Sequence, residues 1–543
     1  MTAYEEIPEA AKAAPSTATA PAEPATIAGL PSENPSASYW LHDPSSVLLG
    51  HRSTPELPAE ADVVVIGSGI TGSFAADKLV GSGDGGSVLL LEAREACFGA
   101  TGRNGGHCQP MIYYSAPDVA GFELANFHFL DGFVAKNNID CDWHRQPQGG
   151  VHAFLDQDLF DAAVAVVDAL AKKQPGLAKQ VAVVRAGAPA VTAGPNDTPV
   201  TLKDLRLRDG VVGALVQKHA ASVWPYKLVA WVLERLVKTQ PSSKFNLQTN
   251  TPATKLTKDD GQGWLVETPR GTVKAKAVLL ATNGYTSHLL PPSLADLIVP
   301  VRAQVAALVP PTTASGGPAA ILASSYVFMG HDYEFSDGRG ERDEYLVQRP
   351  FVDAASSKVG PGGHLILGGG RERAANSGVG VWRDDEVEPV VAEFLRTHLA
   401  PALDVGDEGE PPAPLKADYE WTGVMGFSRD HHPWVGQVPS EILGEPADDA
   451  SSLYIAAGFS GHGMPSTSLC GRAVAKLIRK DLKWTSAEGA EAEEADHPLP
   501  DCHWLTTERL EKVRATCAPV AETDKRGFIV DFQGMLEARL AGQ

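Results

Sequence analysis

Residues 61–106 read ADVVVIGSGITGSFAADKLVGSGDGGSVLLLEAREACFGATGRNGG and contain two glycine-rich loops in close succession. The first loop follows the apolar run DVVVI and carries Gly67, Gly69 and Gly72 in GxGxxG spacing. Gly67 permits a tight turn, Gly69 lets the backbone approach a pyrophosphate, and Gly72 lets the next helix pack on the strand. The amides at the start of that helix then face the phosphates. This pattern predicts a strand, a turn and a helix that bind a dinucleotide.

An acidic residue in the expected place strengthens this prediction. The apolar strand Val88 to Leu91 ends in Glu92, twenty residues after Gly72, where a carboxylate can accept hydrogen bonds from a ribose. A strand-turn-helix without a ligand is the alternative, because a glycine-rich chain produces GxGxxG by chance. The apolar strand before the loop, the helix-forming residues after it and Glu92 together favour the dinucleotide.

Composition narrows the class of protein. The 543 residues suffice for two or three domains, and the net charge of −21 disfavours a nucleic-acid partner while mildly favouring a cationic substrate. The six cysteines show no CxxC or metal-ligand spacing, so we expect neither a disulfide scaffold nor a metal. No apolar run approaches the roughly 20 residues of a membrane span. We expect a cytoplasmic enzyme.

Patterns along the rest of the chain predict the domain organisation. Residues 116–175 are typical of helices interrupted by one strand, residues 224–237 of a further helix, and residues 301–367 of an antiparallel meander. We assign residues 1–35 to a disordered tail and 483–543 to an acidic linker with a helical extension of no evident chemistry. The remaining segments form a discontinuous nucleotide-binding domain (56–115, 222–300 and 415–482) and a substrate-binding domain (116–221 and 301–414).

Glycines at three strand ends, 67–72, 282–284 and 458–463, indicate that distant segments hold one cofactor. With them the chain resembles the FAD-dependent oxidoreductases of the D-amino acid oxidase superfamily, in the branch of γ-glutamylputrescine oxidase and related amine oxidases. The blocks that carry the resemblance are VVVIGSGITG with LLLE, GATGRNGGH (Gly99 to His107), VLLATNGYT, PVRAQ, WTGVMGFSRDHHPWVG and AAGFSGHGMPSTSLCG.

The resemblance implies an α/β fold in which a glutathione-reductase-like, Rossmann-type FAD-binding domain carries an antiparallel β substrate domain. It implies non-covalent FAD, since Gly423 stands where sarcosine oxidase relatives carry the cysteine that tethers the flavin; a linkage through His107 or Cys108 stays open. The residues expected to bind FAD are Gly67, Ser68, Gly69, Ile70, Thr71, Gly72, Glu92, Ala93, Arg94, Thr101, Arg103, Asn104, Gly105, Gly106, His107, Thr282, Asn283, Gly284, Asp430, Gly458, Gly461, His462, Gly463 and Met464.

Other side chains are candidates for contact with the substrate. His462 and His107 are the expected catalytic residues, although either can simply bond a local backbone group. Tyr326, Phe328 and Tyr345 alternate on the meander and can line a pocket or fill a core, and Arg371 or Arg302 can bind a substrate carboxylate or pair with an acid. His431 and His432 lack a spaced carboxylate partner, so we predict no metal site.

These expectations converge on oxidation of an amine or amino acid. Hydride passes from the carbon next to nitrogen to flavin N5, giving an imine, and dioxygen is reduced to hydrogen peroxide. The main alternative is a dehydrogenase that passes electrons to a quinone or another acceptor. An NADPH-dependent monooxygenase and a flavin-binding protein without catalysis are further alternatives. Substrate identity and oligomeric state lie beyond the sequence.

Overall fold

The computed structural model describes residues 27–541 apart from 82–84, 260–262, 314–316, 333–339, 353–358, 407–413, 445–451, 485–496, 521–527 and 529–531. The α-helices of the described residues are α1 Ile70–Val80, α2 Pro117–Asn137, α3 Gln157–Lys173, α4 Pro175–Ala178, α5 Pro225–Thr239, α6 Pro389–Thr397, α7 Thr467–Asp481, α8 Thr507–Thr516 and α9 Phe532–Ala541. The strands are β1 Glu60–Ile66, β2 Val88–Leu91, β3 His107–Cys108, β4 His144–Arg145, β5 Gly150–Phe154, β6 Val181–Arg185, β7 Val191–Ala193, β8 Thr198–Val200, β9 Gly213–Gln217, β10 Ala221–Ser222, β11 Phe245–Gln248, β12 Lys255–Lys258, β13 Trp264–Thr268, β14 Gly271–Leu280, β15 Ile298–Leu308, β16 Ser325–Asp332, β17 Gly340–Val352, β18 Val359–Gly368, β19 Ala417–Ser428, β20 Trp434–Gln437 and β21 Leu453–Ala457.

The first sheet confirms the α/β class predicted for the nucleotide-binding unit. Its parallel strands lie in the order β11, β2, β1, β14 and β21, with β13 and β12 added antiparallel beyond β14. Every residue of β2 is buried, as are the last four of β1, because helices cover parallel sheets on both faces. The GxGxxG loop and Glu92 follow β1 and β2, so they meet at one edge of this sheet.

The second sheet is more mixed than the predicted meander. Its order is β19, β15, β18, β17, β16, β5, β9 and β6, and β16 pairs with β5 in parallel. The strand β19, which we expected in the nucleotide-binding domain, instead pairs along its length with β15. The run DGRGERD, residues 337–343, which is typical of a turn between two strands of this meander, lies partly outside the described residues.

Residues 27–35, expected in the disordered tail, pack against the body of the protein. The amide of Ala28 donates to Ser287 Oγ at 2.9 Å, and the carbonyl of Ser32 accepts from Arg94. Because residues 1–35 are polar and rich in alanine and proline, we predicted a disordered tail that extends too far along the chain. Residues 1–26 and most of the acidic linker lie outside the described residues.

Two further observations concern membrane-spanning helices and the cysteines. In the described part of the chain no helix is long and apolar enough to cross a membrane. The six cysteines are all free, and four of them are buried.

Candidate functional site

One cavity of about 810 Å³ joins the GxGxxG loop to the second sheet, a size within the range of pockets that bind cofactors and substrates. Of the residues expected to bind FAD, the majority line it, including Gly67, Ser68, Gly69, Ile70, Thr71, Glu92, Ala93, Arg94, Thr101, Arg103, Asn104, Gly105, His107, Thr282, Asn283, Asp430, Gly461, His462, Gly463 and Met464.

Four predicted cofactor residues lie behind this wall instead of in it. A Cβ on Gly72 would meet the carbonyl of Gly67, one on Gly106 the carbonyl of Val223, and one on Gly284 the carbonyl of Met425. A Cβ on Gly458 would contact Ile298. Their contact with the cofactor stays a prediction, whereas the structure shows that these glycines allow neighbouring segments to approach closely.

The dinucleotide end of the cavity fits FAD on three structural grounds. Helix α1 begins at Ile70, whose amide donates to Thr101 Oγ1 at 3.0 Å, and the positive end of its dipole lies at the cavity, where it favours phosphate oxygens. The Glu92 carboxylate lines the same end and is positioned by the amide of Ser68 at 3.0 Å. Arg103 Nη1 is buried at the cavity without a hydrogen-bond partner among the described residues, which suits an acceptor on the cofactor.

Arg94 and Arg103 converge on one buried carboxylate. Arg94 donates to both Asp384 oxygens at 3.0 Å, and Arg103 Nε lies 3.3 Å from Asp384 Oδ2. Arg103 also donates to the carbonyl of Thr422 at 2.6 Å. These contacts hold the second glycine loop against segments that are far away in sequence. Asp384 lies in no recognisable motif, so its role could not be predicted from the sequence.

Asp430, expected at the cofactor, is held from the C-terminal extension. Arg509 on α8 donates to both of its oxygens, at 2.9 and 3.0 Å, and lies over the Trp434 ring at 3.7 Å. These hydrogen bonds, with one from Ser428, lower the pKa of the Asp430 carboxyl although burial opposes them. The extension therefore supports the cofactor loop.

The opposite end of the cavity carries the predicted catalytic histidines. His107 Nε2 lies 2.8 Å from Ser325 Oγ, and its ring stacks on Tyr345 at a centroid distance of 6.4 Å. His462 Nε2 lies 3.2 Å from a carboxylate oxygen of Glu123, although the alignment falls short of a hydrogen bond. Burial, and then the neighbouring His462, lowers the pKa of His107 to about 3, so His107 is neutral at physiological pH.

Strand register decides which aromatic residues reach the cavity. Tyr345 pairs with Val327 on β16, and both line the cavity. Tyr326 and Phe328 alternate with Val327, so they point to the other face and pack in the apolar core, where Tyr326 donates to the carbonyl of Leu205. The assignment of Tyr326 and Phe328 to substrate binding is therefore wrong.

Tyr345 also shows why the second loop carries a glycine at its centre. A Cβ on Gly105 would lie 2.0 Å from the Tyr345 ring. Any side chain there would displace the phenol from the cavity. Burial raises the pKa of Tyr345 to about 12, so its hydroxyl stays protonated and can donate a hydrogen bond.

The two arginines proposed for substrate binding already have acidic partners. Arg371 lines the cavity and forms an ion pair with Asp343, and its guanidinium lies 5.7 Å from the Phe427 ring. Arg302 pairs with Glu388 and Glu386 and does not line the cavity. The alternative reading for Arg302, pairing with acids, is the correct one.

The flavin tether considered at Cys108 has little structural support. Cys108 is fully buried, and burial, with the nearby Glu123, raises the pKa of its thiol far above the usual value. A thiol that stays protonated is a poor nucleophile. Unlike His107, Cys108 does not line the cavity.

His432, Cys502 and His503 gather near the cavity, with one potential ligand atom of each lying within 4.8 Å of the others. Burial is the main cause that lowers the pKa of both histidines, and the positive charge of the nearby Arg509 adds to it and opposes a cation. The absence of a metal stays a prediction.

Several cavity residues escaped the sequence interpretation. The cavity is also lined by Gln109 and Met111, which follow β3, and by Glu123 of α2. Helix α9 adds Phe532 and Arg539. Glu123 lies in an ordinary helical pattern, and α9 follows an acidic linker, so neither carried a recognisable signal.

His152, fully buried behind Gln109, provides a pH-dependence prediction. Its Nε2 lies 3.0 Å from Gln109 Nε2, and burial, then His107 and His462, lowers its pKa to about 3. The unfolded chain binds a proton near pH 6.5 and the folded protein does not, so stability from this group is complete above pH 6.5 and falls as the pH decreases. From pH 6.5 to 5.5 His152 should cost about 1 kcal/mol of unfolding free energy.

Denaturant titrations at several pH values test this. The variant His152→Gln should lose less stability on acidification than the wild type, whereas His144→Gln, at an exposed histidine, should keep the wild-type slope. Equal slopes for all three proteins would contradict the prediction.

Comparison with known proteins agrees with this geometry. Residues 62–477 match the family described as DAO, FAD dependent oxidoreductase. The chain is 26% identical over 444 residues to gamma-glutamylputrescine oxidoreductase of Escherichia coli strain K12, covering 78% of this chain and 84% of that protein. It is 26% identical over 434 residues to the probable oxidoreductase OrdL of Rhizobium meliloti, covering 77% and 83%.

Solved structures show the same fold at lower identity. Glycine oxidase from Geobacillus kaustophilus matches with a TM-score of 0.56 and 17% identity, covering 78% of this chain and 95% of that one. L-amino acid deaminase from Proteus vulgaris, with its specific insertion sequence deleted, matches with a TM-score of 0.53 and 18% identity, covering 80% and 93%.

Proposed function

The chain belongs to the DAO family of FAD-dependent oxidoreductases, and on that premise we propose that it is an oxidase of an amine or an amino acid. The observation that carries the proposal is the continuity of one cavity from the dinucleotide loop to the histidines and Tyr345. The similarity to gamma-glutamylputrescine oxidoreductase supports an amine as the donor.

FAD bound in this cavity would accept hydride from the carbon next to the substrate nitrogen and pass the electrons to dioxygen, yielding an imine and hydrogen peroxide. The chain's own task is to bind the substrate and exclude water. Gly105 and Tyr345 are in close contact and form one wall of the cavity, beside which we place the reacting carbon of the substrate. The neutral ring of His107 adds no positive charge that would repel a cationic amine.

His462 and Glu123 form the second polar group of this wall. The Glu123 carboxylate is nearly buried and accepts a hydrogen bond from the amide of Met111 at 2.7 Å. At 3.2 Å from His462 Nε2, it can stabilise the ring after that ring takes a proton. We assign to His462 the removal of the proton that must leave the amine before oxidation, and to His107 a hydrogen bond that orients the substrate.

Oxygen uptake and peroxide release test the proposal. With the FAD-loaded protein and an amine substrate, we expect one hydrogen peroxide formed for each dioxygen consumed. Reduction of a quinone dye without oxygen uptake would favour the dehydrogenase. Uptake supported by hydroxy acids but by no amine or amino acid would contradict oxidation at a C–N bond.

A further inference from the structure

A helix outside the family match forms part of the cavity wall. The match ends at residue 477, whereas α9 places Phe532, Met535, Ala538 and Arg539 at the cavity. These positions follow helical spacing, so one face of α9 is presented to the cavity. The predicted extension without evident chemistry therefore contributes to the site.

Helix α9 is anchored on both sides. Phe532 and Leu536 are buried in an apolar cluster with residues of α3, and the amide of Phe532 donates to a Glu341 carboxylate oxygen at 2.7 Å. The Tyr114 ring packs edge-on against Phe532 at a centroid distance of 5.7 Å, and its hydroxyl donates to the sulfur of Met535. The cavity-facing side of α9 is thus a fixed part of the wall.

Arg539 is the charged residue on that face. Arg539 is partly buried, its Nε is shielded from solvent without a hydrogen-bond partner, and no ion pair joins it to a carboxylate among the described residues. Burial lowers the pKa of Arg539, and the charge of the exposed Asp118 only partly opposes this shift. Arg371, by contrast, is already paired with Asp343.

The surroundings of Arg539 indicate which ligand it would bind. The cavity residues contributed by the start of α2 and by α9 are mostly apolar and include Ala116, Val119, Met535 and Ala538. A guanidinium in such surroundings favours an anion, and its planar fork matches a carboxylate. An apolar wall beside it favours a carbon skeleton that carries the carboxylate.

We propose that α9 is a substrate-recognition element and that Arg539 binds a carboxylate of the substrate. The substrate class is then an amine that also carries a carboxylate, either an amino acid or an amine with a more distant acid group. The proposal deepens the proposed function and rests on it. It assigns recognition of the acid to a segment that the family match does not include.

Binding of simple carboxylates tests this without turnover. The probes are benzoate and butanoate, with benzamide and butanamide as uncharged counterparts, and the readout is the change in flavin absorbance of the FAD-loaded full chain. Wild type should bind the acids and discriminate against the amides. Because a hydrogen bond to a charged group is worth about 1.5–3 kcal/mol, Arg539→Met should weaken acid binding at least about 10-fold.

Two further variants separate recognition from folding. Arg539→Lys retains the charge and should recover part of the affinity, and Glu537→Gln, on the exposed side of α9, should bind as wild type does. Equal acid affinity of wild type and Arg539→Met would overturn the proposal, as would equal affinity of wild type for acids and amides. Failure of all amines to be oxidised would instead bear on the proposed function, since these measurements need no oxidation.

Discussion

Replacing Gly72 by alanine is expected to abolish FAD binding and to destabilise the protein by about 3 kcal/mol or more. An added Cβ would lie 1.9 Å from the Gly67 carbonyl oxygen and 3.3 Å from the Cβ of Ala281. Helix α1 cannot retreat, because a Cβ on Gly471 of α7 would already lie 2.3 Å from the carbonyl of Thr71 on its other side. The change would therefore distort the loop that receives the pyrophosphate.

A helical glycine elsewhere supplies the control. Gly132 is exposed in α2, and a Cβ there would meet no atom within 4 Å. Gly132→Ala should therefore leave FAD content unchanged and raise stability by up to about 1 kcal/mol. Flavin per chain and the thermal midpoint measure both variants. Full flavin content with a wild-type midpoint for Gly72→Ala would show that the loop tolerates the side chain.

Asp384→Asn is expected to cost about 3–5 kcal/mol, because it leaves two buried guanidinium groups without a counter-charge. Asp384 is 1% exposed, and the side chains of Arg94 and Arg103 are 9% and 0% exposed. Because asparagine has nearly the same shape as aspartate, the loss of stability measures the effect of removing the negative charge. Since Arg103 borders the cavity, weaker FAD binding should accompany the loss of stability.

An exposed ion pair provides the comparison for Asp384. Asp43 lies 3.0 Å from Lys227 and is 63% exposed. Removing its charge in Asp43→Asn should change stability by no more than about 1 kcal/mol. Denaturant titrations and FAD dissociation constants of both variants decide the matter. If the two variants lost similar amounts of stability, the buried ion pairs of Asp384 would contribute no more than an exposed ion pair, which would contradict the prediction.

The dinucleotide half of the site could be predicted because its chemistry is local. Gly67, Gly69 and Glu92 lie at the ends of adjacent parallel strands, so the spacing along the chain determines their spacing in the fold. Their positions at the cavity agree with that reasoning. Arg94 was expected at the cofactor for the same reason, but its guanidinium pairs with Asp384, a contact between residues 290 apart.

The substrate half depended on register and distant contacts, which the sequence does not reveal. Tyr326, Phe328 and Tyr345 looked equivalent as aromatic strand residues, yet pairing of Val327 with Tyr345 puts only the last of them at the cavity. Arg539 follows an acidic linker and carries no motif. Its place in the site depends on how α9 packs on α3.

The most direct measurement of the central claim is an anaerobic titration of the FAD-loaded protein, in which the flavin absorbance is followed as substrate is added. Polyamines, N-methyl amino acids, cyclic imino acids and D-amino acids are the compounds to compare. We predict that at least one of them bleaches the flavin and that admission of oxygen restores the absorbance with release of peroxide. Bleaching by a hydroxy acid or polyol alone would contradict the account.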